Sequence, residues 1–146
     1  MHLAVICDHP PMAGERQPQS NIEIIWSDWV DAIRRGDIDR LAARLTPTTT
    51  HQGIYPELIC RNGVEVAENA RRASGHLPQV DAVELTASGD HVVLGVRGPD
   101  VCPTGEEGQA FVVFTLRDGK IVEIRDHPLR AEALAAAGAG DQTGRR

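Results

Sequence analysis

The sequence predicts an α+β fold, a curved antiparallel or mixed sheet with three helices covering its concave face. Three observations predict it. Apolar residues recur at helical spacing in three segments of the first half of the chain. Four runs rich in Val, Ile, Leu and Phe then follow one another between residues 80 and 127. Asp118-Gly119, flanked by apolar runs, marks a tight hairpin between the last two. Helices first and a meander of strands after them is the α+β order. Such helices cover one face of the sheet, and a curled sheet beneath them makes a cone with an open mouth.

Each element has its own signal. Residues 1–20 hold Pro10-Pro11, Gly14 and Pro18 and read as a flexible lead-in, although Leu3–Cys7 has the composition of an edge strand. Asn21 is a candidate N-cap, and Ile22, Ile25, Trp26, Trp29, Val30 and Ile33 form one apolar helical face that Gly36 ends. Asp37 caps a second helix with Ile38, Leu41, Ala42 and Leu45 inward, stopped at Pro47. Thr48–Tyr55 reads as the first strand, with Thr49, His51 and Gly53 on one face and Leu58–Cys60 as its continuation. Asn62 and Glu65 have capping-box spacing for a third helix, which runs to about Ser74 and closes at Gly75. Strands are predicted at Val80–Ala87, His91–Arg97, Gln109–Arg117 and Lys120–His127, with a polar loop over 98–108. Pro128 opens a short alanine-rich helix to about Ala137, and the tail is predicted disordered. The chain thus divides into a lead-in (1–20), one domain (21–138) and a tail (139–146).

Composition excludes several classes of function. Net charge is −6 and no block of Lys or Arg occurs, so nucleic acid is not an expected partner. Arg34-Arg35 and Arg71-Arg72 read as solvated helix faces. No apolar run reaches the roughly 20 residues of a membrane helix, so no membrane is expected. Cys7, Cys60 and Cys102 are odd in number and far apart, which fits free thiols and a cytoplasmic location rather than a disulfide framework. The six histidines show no ligand spacing, and no phosphate loop or dinucleotide fingerprint is present, so neither metal nor cofactor is expected.

The strand Lys120–His127 carries the best site candidate. In a regular pleat Val122, Ile124 and Asp126 share one face, and Ile121, Glu123, Arg125 and His127 the other. An aspartate in a row of Val and Ile points where the apolar residues point, towards core or pocket. Asp126 is either a pocket acid/base or a structural residue that caps the last helix or pairs with an arginine. His51 on the first strand is a second candidate, either a proton relay or a packed histidine. Trp26 and Trp29, Tyr55 and Arg97 are candidate ligand contacts, the last able to orient Asp126. His127 reads as an interface residue.

The chain resembles the SnoaL-like branch of the nuclear transport factor two-like superfamily. The resemblance rests on Trp29-Val-Asp-Ala-Ile-Arg-Arg-Gly-Asp37, His51-Gln-Gly-Ile54, Cys60-Arg-Asn-Gly-Val-Glu-Val66 and Gly119-Lys-Ile-Val-Glu-Ile-Arg-Asp126 running into Ala131-Glu-Ala-Leu134, over roughly residues 21–138. It implies a cone-shaped α+β barrel, a pocket between sheet and helices, and a homodimer. It also gives Asp126 the place of the acid/base aspartate of polyketide cyclases and of one aspartate of limonene epoxide hydrolases. The second epoxide-hydrolase carboxylate is missing at Arg97-Gly98-Pro99, with Asp100 one residue on, and the ketosteroid-isomerase base is missing near His51-Gln-Gly53. Two functions follow as expectations. One is a cofactor-free cyclase, isomerase, dehydratase or epoxide hydrolase acting on a small apolar, polyketide- or terpene-like molecule. The other is a non-catalytic ligand-binding or scaffold module. A homodimer is expected on a second ground too. Phe111/Val113 and Val112/Phe114/Leu116 make both faces of one strand apolar. The outer face, which by register carries one alternating set from Val92, Leu94 and Val96 or from Phe111 and Val113, plus Ile121, needs a cover that the three helices cannot give.

Overall fold

The computed structural model describes residues 20–74, 81–98 and 108–138. The expectations for Leu3–Cys7, Gly75, Asp100, Cys102, the lead-in before Ser20 and the tail after Gly138 lie outside them.

The first helix is continuous but not uniform: α1 (Asn21–Ile25), a π-helical turn (Trp26–Val30) and α2 (Asp31–Arg35). Ser20, not Asn21, is its N-cap. Ser20 has Glu23 three residues on and forms a complete capping box, with Glu23 N–H donating to Ser20 Oγ and Ser20 N–H to Glu23 Oε1. Asn21 has Ile24 at that spacing, which has nothing to return. Gly36, at φ 73°, ends the helix, and Asp37 accepts from Arg40 N–H to open α3 (Ile38–Ala42).

β1 (Leu45–Gln52) starts three residues earlier than expected and runs through Pro47. Its pairing with β6 shifts register between Leu45 and Thr50, and a proline without an N–H is accommodated in that irregular stretch. The chain then turns back rather than continuing. Gly53 N–H donates to Leu58 O, and β2 (Ile59–Cys60) pairs antiparallel with β1. Asn62 caps α4 (Gly63–Ala73) by accepting from Glu65 N–H, while the Glu65 carboxylate accepts from Arg61 N–H, one residue before the expected box.

β3 (Asp81–Ser88), β4 (His91–Arg97), β5 (Gln109–Arg117) and β6 (Lys120–His127) follow, and α5 (Arg130–Ala136) closes the described chain. The sheet order is β2-β1-β6-β5-β4-β3. All neighbours are antiparallel except β1 and β6, so the strand carrying Asp126 is central and the sheet is mixed. This curved six-stranded sheet with its helices is the predicted α+β cone.

One face packs against Ile25 and Trp29 of the first helix, Leu41 of α3, and Val66 and Ala70 of α4, through Val92, Leu94, Phe114, Leu116, Ile121 and Ile124. Three helical segments thus cover that face, as expected. Ile121 corrects the expected alternation: it is fully buried on the helix side together with Ile124. Thr115 pairs with Glu123 but Leu116 with Ile121, so Val122 is the extra residue of a β-bulge, and the bulge flips the pleat. Asp126 lies beyond the bulge and keeps the inner face with Ile124.

The outer face brings a second correction. Val93, Phe111 and Val113 are buried by Ala133, Ala137 and Leu134 at α5. The short C-terminal helix therefore covers, within one chain, the apolar patch for which a twin was expected. No described helix is long and apolar enough to cross a membrane.

Candidate functional site

Register decides which side chains meet at the helix-side end of the sheet. His51 lies opposite Ile124 on β6 and opposite Cys60 on β2. Asp126, two residues beyond Ile124, shares its face. The two candidates are thereby brought together: His51 Nε2 stands 2.9 Å from Asp126 Oδ1. Their side chains are 14% and 24% exposed, so the pair is mostly sheltered yet open to one side. Trp29 packs its ring edge-on to His51, at 6.5 Å between centroids, and to Phe114, at 5.0 Å. The imidazole is thus held by an aromatic wall and by a carboxylate.

The pair opens into a cleft of about 270 Å³. Gly53, Glu57 and Leu58 of the β1–β2 connection line it with Ile59 and Cys60 of β2, and Asn69 and Arg72 of α4 complete the lining. Gln52 shapes that connection: its Nε2 donates to the carbonyls of Tyr55 and Leu58. Cys60 is free and half-buried. Burial pushes its thiol up from 9.0, with the Glu65 and Asp126 charges adding to the rise and Arg72 opposing it. At neutral pH it is a thiol, a packing wall rather than a nucleophile.

The remaining candidates fall elsewhere. Trp29 reaches the pair, but Trp26 packs on the core edge beneath the Arg34 guanidinium, 5.7 Å from its ring centroid. Tyr55 is 43% exposed and outside the cleft lining, because the chain reverses at 53–58 instead of extending β1. Arg97 is exposed at the end of β4, opposite Asp81 and Gln109, and makes no contact with Asp126. The space between first helix and sheet, where the first helix was expected to line a pocket, measures only about 60 Å³; Trp29 lines it and Trp26 does not. His127 sits on the outer face under α5, with Nδ1 4.0 Å from Glu132 Oε1. Arg72 is exposed, as its reading as a solvated face expected, and it also lines the cleft, as does Asn69. No sequence signal marks them, since helical period alone does not say which flank of α4 meets the turn after β1. Among the described residues, no cluster of three or more His, Cys, Asp or Glu has metal-binding geometry.

Among the described residues Asp28 is the one buried carboxylate. It sits in the π-turn and accepts from Arg40 Nε at 2.7 Å and Arg44 Nε at 2.6 Å, while Arg44 Nη1 donates to Gly119 O. With each of its oxygens accepting from an arginine, it ties the first helix to the β5–β6 hairpin and is structural.

The family profile described as a SnoaL-like domain matches residues 26–124, about two-thirds of the chain. Among solved structures, a putative polyketide cyclase from Sinorhizobium meliloti shares 19% identity at a TM-score of 0.57, covering 84% of this chain and 98% of that one. An epoxide hydrolase from M. tuberculosis, described as LEH-like, shares 19% identity at a TM-score of 0.52, covering 73% and 80%. A SnoaL-like protein of unknown function from Burkholderia thailandensis shares 20% identity at 0.57, covering 75% and 98%. These likenesses speak for the fold. No functionally curated protein matches the sequence.

Proposed function

From the premise that this chain belongs to the SnoaL-like domain family, we propose that it is a small-molecule enzyme whose reacting centre is the His51–Asp126 pair. The observation that carries the reading is the 2.9 Å His51 Nε2 to Asp126 Oδ1 contact on the wall of the 270 Å³ cleft. A carboxylate on one imidazole nitrogen fixes the tautomer and leaves the other nitrogen a lone pair. With the proton on Nε2, His51 is a base through Nδ1, and Asp126 stabilises the imidazolium that forms. With the proton returned to substrate, the pair acts as the acid. Such a pair suits cyclisation, isomerisation or dehydration of a small, partly apolar, oxygenated molecule, or epoxide hydrolysis in which water supplies the nucleophilic oxygen and the pair moves the protons. The names borne by the polyketide cyclase and the epoxide hydrolase of like fold point the same way.

A panel of β-keto esters, cyclic ketones and small epoxides tests the proposal. Turnover is expected with the wild type and is lost in Asp126→Asn while the circular dichroism spectrum is kept. Unchanged turnover in that variant would remove Asp126 from the mechanism. Binding without turnover is the second reading, favoured by the packed centre: the 60 Å³ beneath the first helix is too small to enclose a substrate. The homodimer belongs to this reading as a proposal. The surface left for a twin is the polar outer sheet around His91, Thr115, Glu123 and Arg125, and sedimentation would then return twice the 15.8 kDa of one chain.

A further inference from the structure

We propose that Arg72, with Asn69 one turn before it on α4, binds a carboxylate of the ligand, so that the cleft serves small carboxylic acids with an apolar body. The inference rests on the reading that the His51–Asp126 cleft is a ligand site. Positions three apart share a helix face, and Asn69 and Arg72 both line the cleft.

The acids nearby leave Arg72 available. Asp126 is engaged by His51, and the Glu65 carboxylate accepts from Arg61 N–H. Glu68, one turn back on α4, and Glu57, in the lining, form no ion pair with Arg72, which among the described residues makes no hydrogen bond either. A guanidinium presents a planar fork of donors that matches a carboxylate, and the Asn69 amide adds further N–H groups beside it. Leu58 and Ile59, 53% and 44% exposed, give an apolar surface for the rest of the molecule. On a chain of net charge −6 the overall field repels anions, so a local cation has to supply the attraction. The Cys60 thiol feels Asp126 raising it and Arg72 lowering it. Arg72, Cys60 and the His51–Asp126 pair line one cleft, so a short acid held by Arg72 has its carbon chain in the same space as the pair.

Arg72 also stands in the last turn of α4, where a cation complements the helix dipole. The test separates the two roles. 3-Phenylpropanoate and its neutral amide are titrated into the full chain, with Kd read from backbone amide shifts of His51, Cys60 and Asn69. The expected result is about tenfold tighter binding of the carboxylate, the worth of one charge-assisted hydrogen bond. In Arg72→Gln that preference falls to within about twofold, and Arg72→Lys keeps part of it. Equal binding of acid and amide by the wild type overturns the inference but leaves the cleft a ligand site. A preference that survives in Arg72→Gln, or a loss of thermal stability there with the preference intact, overturns it as well. No shift at these amides with either probe sinks the cleft reading and the inference together.

Discussion

His127 is the histidine with a buried, unpartnered nitrogen among the described residues: its Nε2 meets no hydrogen-bond partner beneath α5. Burial lowers its pKa from 6.5, Arg125 pushes the same way, and Glu132 and Asp126 oppose. The neutral ring is therefore the form the fold accepts. Between the lowered value and 6.5 the unfolded chain takes a proton that the folded chain refuses, so stability is full above 6.5 and falls as pH drops through it. Chemical denaturation of wild type and His127→Gln from pH 7.5 to 5 is expected to show the wild type losing ground relative to the variant below about 6.5; parallel curves would contradict this. At the same scale, Asp126 and His51 were legible as residues and their meeting was not. Asp126 stands on the regular side of the Val122 bulge, where alternation still holds. Its bond to His51 depends on β1 running parallel to β6, a long-range pairing that local pattern does not contain.

At the scale of the element, the lengths of β4, β5 and β6 were legible because turn chemistry brackets them. Asp118 at φ 53° and Gly119 at φ 77° are the two left-handed positions of a tight hairpin, and the Asp-Gly pair announces them. The limits of β1 were not, because Pro47 reads as a stop and only the register shift makes room for it. The π-turn at Trp26–Val30 was likewise hidden: Asp31 N–H reaches back five residues to Trp26 O, and no residue type signals that widened turn. The seating of α4 is where an element reaches the site. A Cβ on Gly63 would run into the Thr46 carbonyl of β1, so the helix start lies directly on the strand backbone. Gly63→Ala is expected to push α4 off β1, costing about 1–3 kcal/mol as an overpacked contact and shifting Asn69 and Arg72 with it. Thermal unfolding, together with amide shifts at Asn69, checks this; a variant as stable as the wild type with unmoved shifts would contradict it.

At the scale of the whole molecule, α5 takes the place of an expected twin over Val93, Phe111 and Val113. β5, apolar on both faces, is covered on both faces, and the cover on the outer one comes from the same chain. Arg130 fastens α5 to β3 through Glu84, with Nε 2.9 Å from Oε1 and Nη2 3.2 Å from Oε2. Ala133, fully buried against Val93, Phe111 and Val113, is the sensitive point. Ala133→Asp is expected to undock α5 and bare the apolar patch, so that sedimentation shows species that grow with concentration beyond those of the wild type. Identical sedimentation of the two proteins would contradict that role for α5.

In the proposed chemistry His51 and Asp126 act as a unit. The direct measurement is kcat/KM for the best substrate of the panel in wild type, His51→Gln, Asp126→Asn and the double variant. General acid–base groups contribute about 10²- to 10⁴-fold, and groups that act together are far from additive. The account predicts a loss of about 10²-fold or more in each single variant, with the double variant no worse than the weaker of the two by more than a fewfold. Full activity in either single variant, or losses that multiply in the double, would contradict it.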